Sequence, residues 1–144
     1  MSLRKKDDLI TSSSLKDVFT SINKHLYAKL KYTDTDTRTR SKEIINLLLC
    51  KLVDEIHAVD GEILEFQIKN GESPQALFNR IQEFFIKEVI QRYPEIIDER
   101  GGVGLNHELV YLVVKELQDI SLLNSSKDIF NDAFEVFVSK ILRD

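Results

Sequence analysis

The residues of this sequence that could do chemistry are few: three histidines, one cysteine and one glycine cluster. His25, His57 and His107 are far apart and fall in three different helical patterns. Asp54 and His57 stand at i, i+3 and can share a helix face, which is half of a carboxylate-bridged di-metal pattern. The other half is missing and no H-E-x-x-H occurs, so a surface Asp–His pair near a helix C-terminus is the better reading. Gly102-Val103-Gly104 is the nearest approach to a nucleotide loop. A dinucleotide fingerprint needs a third Gly where His107 stands, and a strand before it. No G-K-[ST] is present either, so the segment reads as a plain loop. Cys50 lies inside the most apolar helical pattern. Lys51 next door is the only charged neighbour that could activate a thiolate, so a buried structural thiol is expected. With no acid–base pair, no nucleophile beside a base and no metal set, no catalytic, cofactor-binding or metal residue is assigned.

Charge is distributed unevenly. Residues 24–42 hold Lys24, Lys29, Lys31, Arg38, Arg40 and Lys42 against Asp34 and Asp36, a local +4 in a chain of net −4. The remaining residues therefore sum to −8. Arg38, Arg40 and Lys42 stand at or near a helix N-terminus, where cations oppose the helix dipole. An anion such as a phosphate would reverse that penalty, because free amides and basic side chains would converge on it. The plainer reading is a solvated basic patch.

These residues must be positioned by helices. Residues 1–13 have no hydrophobic period and are expected to form a mobile polar arm. Ser14 is a good N-cap, followed by Leu15, Val18, Phe19, Ile22, Leu26 and Leu30 in one helical stripe. A second helix from about 38 to about 58 carries apolar residues on more than one face, so it should be central. Residues 62–69 alternate partly, with Leu64, Phe66 and Ile68 on one side, which predicts a short strand or extended segment near 63–68. Ser73-Pro74 opens a third helix that must end near Arg92, ahead of Pro94. Asn106 caps a fourth, and Ser125 or Ser126 with Asp128 opens a fifth, which runs almost to Asp144. The expected architecture is all-α: about five helices in an irregular or orthogonal bundle, forming a single domain over 14–144.

The 144 residues, 42% of them hydrophobic, suffice for one core. No apolar run approaches the roughly 20 residues that span a bilayer. A single cysteine forbids an internal disulfide, and the polar start shows no secretory signal, so a cytoplasmic protein is expected.

The order of segments resembles a known family. Residues 41–56 (SKEIINLLLCKLVDEI) are similar to the "lllcKlvDE" helix near the start of N6-adenine DNA methyltransferases, the modification subunits of type I restriction–modification systems. Residues 84–97 (FFIKEVIQRYPEII) and 107–118 (HELVYLVVKELQ) resemble the helices that follow. Asp132-Ala133-Phe134-Glu135, with Ile141-Leu142-Arg143, resembles the "DAFE…LR" helix that precedes the catalytic domain. The resemblance covers roughly 15–144. It implies an N-terminal helical domain that takes part in assembly and in closing around DNA. The implied partners are its own catalytic domain, a specificity subunit and DNA. The S-adenosylmethionine pocket and the Asn-Pro-Pro-aromatic motif follow the "DAFE" helix in that family. Here the prolines occur only in Ser73-Pro74 and Tyr93-Pro94, so no catalytic residue carries over and the cofactor is expected only in the full-length parent. The chain is accordingly expected to stop at a domain boundary within a longer enzyme. Lys31, Arg38, Arg40 and Lys42 are the expected DNA-backbone contacts, which position DNA without reading its sequence. The alternative is a stand-alone helical interaction or regulatory module without DNA binding, its wide apolar surfaces serving as a partner groove or homodimer seam.

Overall fold

A computed structural model describes residues 3–30, 37–92, 107–125, 127–133 and 136. The described residues form helices joined by turns, and the expected all-α class is what the structure shows. Helix α1 spans Leu15–Leu30, α2 Thr37–His57 and α3 Pro74–Phe84. The last runs on through a π-helical segment, Phe85–Ile90. Helix α4 spans His107–Leu117, α5 Leu122–Ser125 and α6 Ile129–Ala133.

Local signals explain these boundaries. Ser14 Oγ accepts from Asp17 N at 3.3 Å, and Ser73 Oγ accepts from Ala76 N at 3.2 Å with Pro74 in the first helical position. Leu15, Phe19, Ile22 and Leu26 are buried, as the stripe on α1 requires. Helix α3 packs on α4, α1 on α4 and α6, and α2 on the π-helical segment and α5. The core joins Phe19, Leu47, Leu48, Phe66, Leu77, Phe85, Val113 and Leu117 from these elements. Helix α2 is the central one, and it also buries Glu43, Asn46, Lys51, Asp54 and Glu55. Those polar burials are the part that an apolar-periodicity reading passes over.

Three expectations require correction. The expected polar arm lies along the domain. Lys5 forms an antiparallel bridge to Ile63, and Ile10 a parallel bridge to Ile120. Ile10 N donates to Asp119 O, and Ser121 N to Ile10 O, each at 2.8 Å. Buried Gln67 fastens the near end, accepting from Arg4 N at 2.8 Å and donating to Arg4 O at 2.9 Å. Backbone pairing holds this segment although its side chains lack a hydrophobic period.

Residues 62–69 do not form a strand. Leu64 and Phe66 are buried as the alternation predicts, but the chain bends at 65–67 and pairs only at Ile63. The helix expected from Ser125 or Ser126 starts later, at Ile129 (α6), and Ser125 instead ends a separate short helix, α5. Ser121 Oγ accepts from Asn124 N at the start of the short α5, and Asp128 Oδ1 accepts from Asn131 N to cap α6. The expected loop over 98–106, the Asn106 cap and the end of the last helix lie outside the described residues. No helix among the described residues is long and apolar enough to cross a membrane.

Candidate functional site

The expected DNA contacts fall at the N-terminal end of α2. Lys31 lies outside the described residues. Arg38, Arg40 and Lys42 occupy the first two turns of α2, and their side chains are likewise outside the described set. The first turn of α2 contains no acidic residue. The positive end of the helix dipole therefore meets basic positions, with Asp34 and Asp36 just before the helix in sequence.

The last two turns of α2 carry a buried lock. Glu55 accepts from Ser121 Oγ and from Leu122 N, both at 2.9 Å, and from Leu123 N at 3.3 Å. Lys51 Nζ stands 3.3 Å from Glu55 Oε2, one helical turn away, and 5.3 Å from the centre of the Phe66 ring. Both side chains are almost wholly buried. Burial lowers the Lys51 ammonium below its ordinary value, and the Glu55 charge opposes that shift. The pair holds the first turn of α5 against α2, since Glu55 satisfies amides that helix starts leave unpaired.

Asp54, on the next position, holds a different segment. Its Oδ2 accepts from Phe66 N at 2.9 Å. Burial raises its carboxyl above the ordinary range, and backbone N–H groups of Phe66 and Glu65 oppose the rise. Asp54→Ala is expected to destabilise by about 1–3 kcal/mol, because a buried amide loses its acceptor. Asp54→Asn keeps an acceptor oxygen and should cost less. The folded value lies above the unfolded one, so the stabilisation from proton uptake is complete below the unfolded range and lost as pH rises through the folded value. Wild type should therefore gain on Asp54→Asn between about pH 7 and about pH 4, as urea denaturation would read.

Arg80 on α3 clamps the same loop from the far side. Its Nε and Nη2 reach Glu72 at 2.8 and 2.9 Å, Nη1 reaches Glu65 Oε2 at 3.2 Å, and its remaining donors meet the carbonyls of Glu65 and Gln67. Arg80 thus has no donor left for a ligand anion. Between this loop, the end of α2 and the π-helical segment lies an open cleft of about 410 Å³. Five carboxylates and three basic side chains line it, together with His57. That balance disfavours phosphate, so the cleft and the basic end of α2 are chemically distinct.

Asp54 and His57 share a helix end and both border the cleft, but the expected surface pair is corrected: Asp54 is buried and committed to Phe66 N, while His57 is exposed. His25 Nδ1 lies 3.2 Å from Glu116 on α4, and the His107 ring packs on Phe78 with centroids 4.4 Å apart. The three histidines therefore serve separate contacts. Among the described residues no group of His, Cys, Asp and Glu is disposed to hold a metal ion. Cys50 is buried, and burial pushes its thiol well above the ordinary value, which suits a structural thiol. Sequence reasoning missed the roles of Lys51, Glu55, Gln67 and Arg80. For α2 a signal was present: Lys51, Asp54 and Glu55 occupy one helical face inside an otherwise apolar stretch. No protein-family model matches the chain, and no curated protein matches it in sequence.

Proposed function

We propose that this chain is the N-terminal helical domain of a site-specific N6-adenine DNA methyltransferase of a restriction–modification system. Its work would be assembly and DNA embrace. The observation that carries the reading is the order of the four family-like segments across 41–143. The excess of bases over acids across 24–42, six to two, supports it, because phosphate oxygens suit a basic helix start. In this reading Lys31, Arg38, Arg40 and Lys42 touch the DNA backbone, and a specificity subunit reads the sequence. S-adenosylmethionine would belong to the catalytic domain of the parent enzyme and use no residue of this chain. Such an enzyme would work in the cytoplasm.

The acidic balance of the other residues limits what the domain contributes alone, so the test belongs in the complete enzyme. Arg38→Ala with Arg40→Ala is expected to weaken binding uniformly across DNA sequences. The slope of log K against log salt should become shallower by about 1–2, the signature of lost phosphate contacts. An unchanged affinity and slope would remove these residues from the DNA interface and favour a protein-binding module instead.

A further inference from the structure

Two turns bracket the segment 62–69, and they share one pattern. Val59-Asp60-Gly61-Glu62 and Lys69-Asn70-Gly71-Glu72 each carry an acid or its amide before glycine at the centre. Each is closed by a main-chain bond of 3.0 Å, from Glu62 N to Val59 O and from Glu72 N to Lys69 O. Gly61 and Gly71 stand at φ +83° and +72°, the left-handed region that glycine adopts without strain. Both turn centres are exposed, and a Cβ on either glycine would meet nothing within 4 Å. Among the described residues the Gly71 amide has no hydrogen-bond partner. Asn70 is the only asparagine in the sequence that precedes a glycine.

We propose that Asn70 is a self-modifying site, converted to aspartate and isoaspartate through a cyclic imide with Gly71. The Gly71 nitrogen, its proton taken by hydroxide, attacks Cγ of Asn70. A C–N bond forms, the Cγ–Nδ2 bond breaks, and the side-chain nitrogen leaves as ammonia. Water then opens the imide. Opening at the side-chain carbonyl gives aspartate, and opening at the main-chain carbonyl gives isoaspartate, with the chain routed through Cγ. The sum is amide plus water giving carboxylate plus ammonium, with no other reactant. Gly71 permits the attack because no Cβ shields its nitrogen. The position gives the conversion a structural effect. Lys69 and Glu72 are joined twice across the turn, by Glu72 N to Lys69 O and by Lys69 N to Glu72 Oε1 at 3.1 Å. Glu72 in turn holds Arg80. Isoaspartate lengthens the main chain by one carbon between those bonds, and either product adds a carboxylate two residues from Glu72. Both changes loosen the Arg80 clamp. The same double closure restrains the torsions that bring Gly71 N to Cγ, so the clamp also slows the reaction. None of this depends on the DNA reading.

The test is incubation of the full chain at mildly alkaline pH, with peptide mapping that separates the Asn, Asp and isoAsp forms. Asn70 is expected to convert first, ahead of the exposed comparators Asn124 and Asn131, which precede Ser125 and Asp132. Asp60, in the matched turn, should isomerise more slowly, because a carboxylate is a poorer electrophile than an amide. Gly71→Ala should slow conversion of Asn70 by about tenfold, since its Cβ shields the attacking nitrogen. Asn70→Gln should remove the early product while keeping the fold, as position 70 is exposed. Arg80→Met should speed conversion by freeing Glu72. The isoaspartate fraction, separated by ion exchange on its added charge, should unfold at a lower urea concentration than the parent chain. Intact Asn70 in a sample where Asn124 or Asn131 has converted would overturn the proposal. So would conversion of Gly71→Ala at the wild-type rate, or an early product that persists in Asn70→Gln. An isoaspartate fraction with the parent's urea midpoint would overturn its effect on the clamp.

Discussion

Glu55→Ala is expected to be the most damaging polar substitution in the domain, at about 3–5 kcal/mol, the usual cost of breaking a buried ion pair from one side. The change leaves Lys51, 1% exposed, without its counter-ion. It also strips the acceptor from Leu122 N and Leu123 N at the start of α5. Lys51→Met should cost less, because Glu55 keeps its three donors and Met matches the length of the lysine stem. Lys51→Met combined with Glu55→Gln should cost less than Glu55→Ala alone, since no buried charge remains and Gln still offers an oxygen to α5. The coupling in that cycle should be about 0.5–3 kcal/mol, measured by urea denaturation. The pH dependence gives an independent check. Without Glu55 the folded-state pKa of Lys51 falls further below its unfolded value. Stability then rises as pH climbs through the folded value, because the unfolded chain retains the proton longer. The gap between wild type and Glu55→Ala should narrow from about pH 7 to about pH 10.

Helix positions were legible from caps and periodicity. Ser14, Ser73 and Pro74 announce where α1 and α3 begin, and the stripe Leu15–Phe19–Ile22–Leu26 names the face that α1 buries. Backbone pairing was not legible, because it leaves no side-chain pattern. The N-terminal segment bridges Ile63 and Ile120 through main-chain atoms, and a bridge of one residue has no alternation to reveal it. The start of the last helix turned on whether Ser125, Ser126 or Asp128 caps it; Asp128 does, while Ser125 ends the separate α5. Candidate site residues divided the same way. The basic cluster is visible as composition, whereas the cleft is assembled from α2, the 62–65 turn, α3 and the π-helical segment, elements that no local window joins. The Lys51-Leu52-Val53-Asp54-Glu55 stretch is the fold's polar lock.

Arg80→Met tests the other fastening and should respond to pH in the opposite sense. Arg80 is the single side chain that holds Glu65, Glu72 and two loop carbonyls together. Removing it leaves two carboxylates near one another and takes a donor from the Glu65 and Gln67 carbonyls, of which Glu65 O keeps Gln67 N at 2.9 Å. The expected cost is about 2–3 kcal/mol, the worth of hydrogen bonds to a charged group at a part-exposed site. Arg80→Lys should recover less than half of it, because an ammonium cannot span both carboxylates and both carbonyls with a planar fork. The hydrogen bond from Arg80 draws the Glu72 carboxyl below its ordinary range, against a smaller opposing effect of burial. A folded value below the unfolded one gives stability that is complete above the unfolded range and lost as pH falls through the folded value. The gap between wild type and Arg80→Met should therefore shrink on acidification, where the Glu55→Ala gap shrinks on alkalinisation. The two fastenings can thus be told apart by pH alone.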